Sequence, residues 1–338
     1  MLTAKQEVRV APRPAASYGL GLLPDISICI VNWNCSEYLR QLLTSIEAAR
    51  DDLSVEIIVV DNASTDHSAA MVRAEFPEVQ LIRNTRHAGI ARANNQAAAR
   101  ARGSLLFFLN NDTSILPGGL AALAHLFEGR PELAAAVPRL TSPSGKLQTC
   151  ARNALDYRAL LHRVWVLRWT KLFCAADRRY RYLEFDFVHN AYVNQIVGPA
   201  ILVRRQAFLS AGGWDEAFEF RMDDIDLSLR LGRQGRMFYL ADAGVIHWGG
   251  VATDLDRSYA YCAGEFSIIY FIRKHIGRRA ARLYKLLITI DMAVRISVLA
   301  LCWVPKRLFG ASERAARNFR KLTAACRFLR ALPAYWAF

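Results

Sequence analysis

The chain has 338 residues, of which 53% are hydrophobic, and this composition supports one large α/β core with a smaller second unit and excludes a disordered protein. The formal net charge is +14, but residues from Arg273 onward hold 15 Lys and Arg against Asp291 and Glu313, which leaves a net charge of +1 for everything before them. This asymmetry favours an anionic membrane or a nucleic acid as partner of the C-terminal segment, and excludes a generally basic protein.

Three parts are predicted along the chain: a flexible leader at 1–24, an α/β domain at 25–257 with a variable insertion at 147–194, and a basic helical segment at 258–338. The leader has no apolar run of signal-peptide length, so we expect a protein that faces the cytoplasm. The seven cysteines are scattered without a Cys-x-x-Cys pair, which argues against a zinc site and predicts reduced, mostly buried thiols.

The α/β domain alternates strand and helix patterns with short connections, which is typical of a Rossmann-like, mostly parallel sheet flanked by helices. Its first half predicts strands at 26–32, 55–60, 79–82 and 105–109, and helices at 36–49, 66–76 and 89–102. Its second half predicts an apolar strand at 195–204 interrupted by Gly198-Pro199, helices at 205–212 and 223–231, and short strands at 237–240 and 245–247.

The C-terminal segment predicts helices at 259–276, 281–303 and 312–332. The stretch 283–304 is long enough to span a bilayer, but Lys285, Asp291 and Arg295 interrupt it, each at a cost of about 2.5–3.5 kcal/mol near the bilayer centre. We therefore expect these helices to lie in the membrane interface with their basic residues toward the head groups. A basic face that only packs on the α/β domain is the alternative.

Polar clusters follow three of the predicted strands, at Asn32–Asn34, Asp61–Asp66 and Asn110–Asp112. Ligands of such sheets bind outside the carboxyl ends of the strands, so the clusters are predicted to converge on one crevice. The carboxylate of Asp61 can accept the imide N–H of a uracil or thymine ring, while Asp66 can cap the next helix. Oxygen ligands of the Asn110–Asp112 type suit a hard divalent cation that bridges a diphosphate. Each cluster by itself also fits an ordinary turn.

Three carboxylates, those of Asp223, Asp224 and Asp226, open a predicted helix. They repel one another unless a helix N-terminus, a cation or a proton compensates. Asp224 is the candidate general base for an acceptor hydroxyl, with Asp223 as the alternative; an acidic helix start stabilised by the helix dipole alone is the structural explanation. His247, at the end of a short strand, is a candidate metal ligand because the chain also carries these polar clusters.

The sequence thus supplies a candidate cation site and a candidate base. Breaking a glycosyl–phosphate bond requires these two groups, a cation beside the leaving diphosphate and a carboxylate beside the acceptor. A glycosidase, with two carboxylates around one bond, fits the strand-end clusters less well. A nucleotidyltransferase needs a glycine-rich loop after the first strand, and 31–35 contains no glycine. A nucleic-acid-binding protein has no use for the acidic cluster, and the chain carries no zinc-finger or RRM signature, so no nucleic-acid partner is expected. A catalytically inactive sugar-nucleotide binder stays open.

The order and spacing of these clusters resemble the family-two glycosyltransferases of the GT-A fold, and their bacterial rhamnosyltransferase branch in particular, over about 26–250. The residues that carry the resemblance are IVNWN at 30–34, VDNASTD at 60–66, Asn84, GIA at 89–91, Asn94-Asn95, LNND at 109–112, GPA at 198–200, GGWDE at 212–216, DDIDL at 223–227 and His247. Two positions depart from the family pattern, since Asn110 and Asp223 stand where the family often has Asp and Glu.

The resemblance implies inverting transfer of a sugar, with L-rhamnose from dTDP-rhamnose as the expected donor and another UDP- or dTDP-sugar as the alternative. The expected acceptor is a hydroxyl of a lipid-linked or polysaccharide glycan in cell-wall or surface-polysaccharide synthesis, at the cytoplasmic side of a bacterial plasma membrane. The implied catalytic residue is Asp224 or Asp223, and the implied nucleotide-sugar contacts are Asn32, Asn34, Asp61, Asn62, Asn84, Gly89, Asn94 and Asn111. Implied Mg²⁺ or Mn²⁺ ligands are Asp112, His247 and Asn110, and implied acceptor contacts are Gly198, Pro199, Trp214 and Asp226.

Overall fold

The computed structural model describes residues 24–250, 257–308, 327–328, 330–333 and 335–337. The predicted leader, apart from its last residue, and most of the predicted helix at 312–332 lie outside the described residues. By packing, the described chain forms two units, one of residues 24–154, 181–216 and 223–250, the other of 155–180, 217–222 and the residues from 257 onward. The centre of the predicted insertion thus belongs to the same unit as the C-terminal helices.

The first unit is an α/β unit whose elements follow the predicted alternation. Its strands are β1 Ile26–Asn32, β2 Val55–Asp61, β3 Gln80–Arg83, β4 Leu105–Asn110, β5 Thr113–Ile115, β6 Leu133–Thr141, β7 Leu147–Gln148, β8 Ala151–Arg152, β9 Ala191–Val193, β10 Gln195–Ile196, β11 Ala200–Arg204 and β12 Arg236–His247. Its helices are α1 Ser36–Ala49, α2 Ser68–Glu75, α3 Ile90–Arg100, α4 Gly119–Leu126, α8 Arg205–Ser210 and α9 Asp223–Leu231.

The main sheet has the strand order β3-β2-β1-β4-β11-β6-β12-β5, with β7 beside β6 and β9 beside β12. Strands β3, β2, β1 and β4 are parallel, β11 is antiparallel to both of its neighbours, and β12 is parallel to β6. The predicted mostly parallel sheet flanked by helices is therefore confirmed. Since β1, β2 and β4 are adjacent and parallel, their carboxyl ends meet at one edge.

The predicted and observed elements agree where the hydrophobic residues of the sequence are strongly periodic. The predicted bounds of β1, α1 and α9 are those observed, and α1 buries one face, which contains Leu39, Leu42, Leu43 and Ile46. The break at Gly198-Pro199 separates β10, which pairs with β8, from β11 in the main sheet.

The prediction of two short strands at 237–240 and 245–247 is wrong, because β12 runs through both. Its pairing with β6 shifts register between Leu240 and Gly244, so the two segments belong to one strand with an irregularity between them. A Cβ on Gly244 would lie 2.6 Å from Leu116 Cδ1, so a larger residue here would require the Leu116 side chain to move.

The second unit is helical, with α5 Tyr157–Leu161, α6 Trp165–Trp169, α7 Cys174–Tyr180, α10 Arg257–His275 and α11 Arg278–Leu308. A buried hydrogen bond links its two long helices, since Tyr284 on α11 donates to Glu265 on α10 over 3.1 Å. Burial raises the pKa of the Glu265 carboxyl. Within the described ranges, none of the helices combines the length and the apolar character needed to cross a membrane.

Candidate functional site

The three strand-end clusters meet through direct hydrogen bonds. The side chain of Asn32, at the end of β1, accepts from Asn111 Nδ2 over 2.8 Å and donates to Ser64 Oγ over 3.3 Å. The same Ser64 hydroxyl accepts from the backbone N–H of Asn34 over 3.0 Å. Side chains that follow β1, β2 and β4 therefore form one bonded assembly at the carboxyl edge of the sheet, as predicted.

Asp61 presents a buried carboxylate at the end of β2. Its exposed fraction is 1%, and within the described residues neither carboxylate oxygen has a hydrogen-bond partner. The nearest positive group is Arg83, whose Nε lies 3.7 Å from Oδ2. Buried polar atoms are normally hydrogen-bonded, so this carboxylate has acceptor capacity for a ligand N–H.

Asp112 and His247 form a pair of possible metal ligands. Their Oδ1 and Nε2 atoms lie 3.5 Å apart, because β12 pairs antiparallel with β5 and the backbone N–H of Trp248 donates to the Asp112 carbonyl over 3.0 Å. Two neighbouring ligands of an octahedral cation at roughly 2.1 Å lie about 3 Å apart, so the pair fits one cation with little movement. No group of three or more His, Cys, Asp and Glu side chains suited to a metal occurs within the described residues. Any further ligands would come from a bound diphosphate, from water or from Asn110.

The first residues of α9 carry two adjacent carboxylates with different surroundings. Asp224 is half-buried and accepts from the backbone N–H groups of Gly198 over 3.0 Å and Ile225 over 2.8 Å. Burial raises its pKa, while these two donors and the charge of Arg152 act in the opposite direction. Burial, and then the charge of Asp224, raise the pKa of Asp223 to about 7. We therefore infer that Asp223 carries a proton at pH values below about 7.

The Gly198-Pro199 segment connects the acidic helix to the strand-end cluster. Gly198 donates to Asp224 from a backbone with φ of 113°, which lies in the region that favours glycine. The next residue, Pro199, accepts from the backbone N–H of Asn110 over 2.8 Å. Two consecutive residues thus bond to the candidate base and to the residue that opens the Asn110–Asp112 cluster.

The family model described as "Glycosyl transferase family 2" matches residues 27–192. The N-acetylglucosaminyl-diphospho-decaprenol L-rhamnosyltransferase of Mycobacterium tuberculosis is 26% identical over 267 residues, which cover 75% of this chain and 85% of that protein. Residues 27–192 therefore form a glycosyltransferase family 2 domain. The match includes the three strand-end clusters and ends before α9 and His247.

Two solved structures show that this glycosyltransferase has the GT-A fold. A mannosyltransferase of Pyrobaculum calidifontis, solved with GDP-Man and Mn²⁺, has a TM-score of 0.51 at 15% identity and covers 92% of this chain and 87% of its own. GalNAc-T7, solved with UDP, GalNAc and Mn²⁺, has a TM-score of 0.52 at 18% identity and covers 67% of this chain. This glycosyltransferase spans 43% of the length of GalNAc-T7.

Several residues predicted to contact the nucleotide use their side-chain amides in hydrogen bonds within the protein, and these bonds shape the crevice. Asn62 Oδ1 accepts from Asn84 Nδ2 over 3.1 Å and from the backbone N–H of Ala88 over 2.8 Å. This fixes the turn at Gly89, which enters α3 with φ of 83°. Asn94 is buried on α3 itself. These amides therefore shape the wall of the crevice beside Asp61.

Asp226 and Trp214 lie inside the protein. Asp226 is fully buried and pairs with Arg230 over 2.6 Å, and Arg230 also donates to the carbonyls of Ala211 and Gly213. Trp214 is 5% exposed, and its ring packs edge-on against Phe108. Asp226 thus acts on the turn at 212–213 through Arg230, and both Asp226 and Trp214 present little surface to an acceptor.

Gln148 belongs to the site and was missed by sequence reasoning. It donates from Nε2 to the carbonyl of His247 over 2.8 Å, so its Oε1 faces His247 Nδ1 at 2.7 Å and must accept from it. The proton of a neutral His247 then resides on Nδ1, which leaves the Nε2 lone pair directed at Asp112. A lone glutamine in the two-residue strand β7 carries no sequence signal for this contact.

Proposed function

We propose that this glycosyltransferase moves L-rhamnose from a dTDP-linked donor to a hydroxyl of a lipid-linked acceptor in a single inverting displacement. The observation that carries the proposal is the Gly198-Pro199 segment, which links the candidate base Asp224 to the cluster holding the Asp112–His247 pair. The choice of donor and acceptor is supported by the similarity to the mycobacterial rhamnosyltransferase.

Donor binding is assigned to the edge formed by β1, β2 and β4. The carboxylate of Asp61 accepts the imide N–H of the thymine ring, which would satisfy a buried group that lacks a hydrogen-bond partner in the described part of the chain. The surrounding amides and the Gly89 turn shape the pocket for the ribose and the diphosphate, through Asn32, Asn34, Asn62, Asn84, Asn94 and Asn111.

Asp112 and His247, with Asn110 beside them, would hold Mg²⁺ or Mn²⁺. When bound, the cation neutralises the charge that develops on the leaving diphosphate. The chain itself supplies one carboxylate and one imidazole, with the Asn110 amide beside them, so a bound cation would need further oxygen ligands such as those of the nucleotide. Cation affinity should therefore be greater in the presence of the nucleotide.

Asp224 is the proposed general base, and Asp223 its protonated neighbour. Asp224 takes the proton of the attacking acceptor hydroxyl, which adds roughly 10² to 10⁴-fold to the rate of such a step. The bonds from Gly198 and Ile225 fix the direction of the carboxylate and leave lone pairs for the acceptor. Gly198 and Pro199 are the proposed acceptor-side backbone, and Trp214 and Asp226 are the proposed internal residues on the acceptor side.

The glycosyltransferase would act at the cytoplasmic face of a bacterial plasma membrane as a peripheral protein, in the synthesis of a cell-wall or surface polysaccharide. The basic segment that begins at Arg273 would bind anionic lipids, while the catalytic unit works on a glycan carried by a lipid diphosphate.

The test is transfer of labelled rhamnose from dTDP-rhamnose to lipid-linked N-acetylglucosamine with Mg²⁺. Asp224→Asn should lower kcat by about 10² to 10⁴-fold with little change in KM for the donor. Asp52→Asn, which changes an exposed aspartate, is the matched control and should retain wild-type rates. If the folded wild-type protein instead transfers a different sugar from a panel of UDP- and dTDP-sugars, that sugar nucleotide would take the place of dTDP-rhamnose as the donor. Full activity of Asp224→Asn would exclude the assigned base.

A further inference from the structure

Helix α11 has a continuous exposed apolar face, here called the α11 stripe. Its side chains recur every three or four residues and are 37–75% exposed: Leu283, Leu286, Ile290, Val294, Val298 and Leu301. This spacing places them along one side of the helix, and the stripe extends for about 27 Å at roughly 1.5 Å per residue. The opposite side, with Tyr284, Ile288 and Met292, is buried in the unit.

The charges that interrupt this stretch of sequence point away from the stripe. Lys285 is 6% exposed, and Asp291 is fully buried, where it accepts from the backbone N–H of Val166 over 2.8 Å and pairs with Arg295 over 2.8 Å. The prediction that the basic residues of this stretch turn outward toward head groups is therefore wrong for Lys285. Among the described side chains between Leu283 and Leu301, the exposed ones are apolar apart from Ser297, and exposed arginines precede them at 278, 279 and 282.

A second exposed apolar patch lies in the same unit. Trp169 and Leu172 are 73% and 67% exposed, with Arg168 and Lys171 exposed beside them. The Trp169 ring contacts Trp165 at a centroid distance of 5.0 Å, and Arg295 lies 6.0 Å from the Trp165 ring. The patch thus adjoins α11 at Arg295, and its combination of tryptophan with basic side chains is typical of membrane-interface contacts.

We propose that the α11 stripe inserts into the interface of an anionic bilayer, with Trp169 and Leu172 as a second contact. Apolar side chains enter the acyl boundary while the arginines at 278, 279 and 282 meet lipid phosphates. A second copy of the chain fits less well, because it would bring together two segments that each carry a net charge of +13 from Arg273 onward. This inference deepens the proposed function, on which it rests for the lipid-linked acceptor.

The test is sedimentation of the full chain with vesicles of phosphatidylcholine, alone or mixed with phosphatidylglycerol. Leu286→Gln combined with Ile290→Gln should weaken binding to the mixed vesicles by about tenfold or more, because two half-exposed apolar side chains no longer enter the lipid. The control, Leu183→Gln combined with Leu209→Gln, changes equally exposed leucines of the first unit and should bind as wild type. Both double variants should keep the wild-type melting temperature.

Two results would overturn the inference. One is unchanged vesicle binding by the folded α11 double variant. The other is a lipid-free dimer of the wild type that this variant dissociates, which would assign the stripe to a second copy. Rhamnosyl transfer to a water-soluble acceptor separates this inference from the catalytic proposal, since the α11 variant should retain that activity. Vesicle binding by a chain without transfer activity would support the stripe and reject the assigned reaction.

Discussion

Among the residues that the structure describes, neither carboxylate oxygen of the buried Asp61 has a hydrogen-bond partner, which makes this residue destabilising in the absence of a ligand. A buried charge of this kind is retained at the expense of stability where it serves binding. Gln148 illustrates the opposite case, because both ends of its amide are bonded to one residue, His247. The two residues define two predictions at the scale of single side chains.

Asp61→Asn should weaken binding of dTDP by about tenfold, because a neutral acceptor replaces a charged one. Cytosine has no imide N–H, so the preference of the wild type for dTDP and UDP over CDP should shrink in the variant. Isothermal calorimetry with the three nucleotides measures both effects. The melting temperature of the unliganded variant should equal or exceed that of the wild type, and an unaltered nucleotide preference would contradict the assignment.

Gln148→Leu should weaken Mn²⁺ binding by about tenfold or more, because His247 loses the partner that fixes its ring and its tautomer. The measurement is Mn²⁺ calorimetry in the presence of dTDP, together with the melting temperature without the cation, which should change little. Gln41→Leu, on the exposed side of α1, is the control. Equal Mn²⁺ affinity in both variants would show that Gln148 does not position His247.

At the scale of elements, α9 begins with adjacent carboxylates, and its sequence alone does not indicate which of them is the base. Gly198 and Ile225 donate to Asp224, whereas Asp223 is buried beside it and its pKa is raised to about 7. Two non-glycine residues, Arg221 and Met222, precede the helix with φ of 64° each, and such backbone strain is common next to functional sites. The difference between the two carboxylates leads to a prediction on pH.

Asp223→Asn should leave kcat/KM within about tenfold of wild type at pH values below about 7, where Asp223 already carries a proton and the asparagine mimics it. Activity should fall only when acid protonates Asp224, at a pH above the ordinary range of an aspartate, because burial raises its pKa. Asp226 and Arg152 are not mutated in this experiment. Asp226 is paired with Arg230, and the charge of Arg152 lowers the pKa of Asp224. Loss of all activity in folded Asp223→Asn would identify Asp223 as the base.

At the scale of the whole molecule, charge is divided between a nearly neutral sequence before Arg273 and a strongly basic one after it. Raising the ionic strength until the Debye length falls from about 10 Å to about 3 Å should release much of the protein from anionic vesicles. A residual fraction should stay bound through apolar contact. Transfer to a water-soluble acceptor should respond far less to salt, and an equal response of both measurements would contradict a separate role of the basic segment.

The sequence by itself determined the α/β class, the bounds of β1, α1 and α9, and the meeting of three polar clusters at one sheet edge. These follow from local periodicity and from the rule that adjacent parallel strands end at the same edge. Strand β6 was not predicted, because its Ala134–Ala136 run and Pro138 have low strand propensity and only burial between β11 and β12 makes it a strand.

Only the tertiary structure decided which polar residues face a ligand and which are internal. Asp226 lies two positions after Asp224, yet one is fully buried against Arg230 and the other accepts from Gly198. The same holds for Gln148 and for the inward charges of α11, since each depends on a partner far away in sequence. Periodicity reports only on neighbours within a few residues along the chain, whereas the bonding of a side chain is fixed by the packing of distant segments.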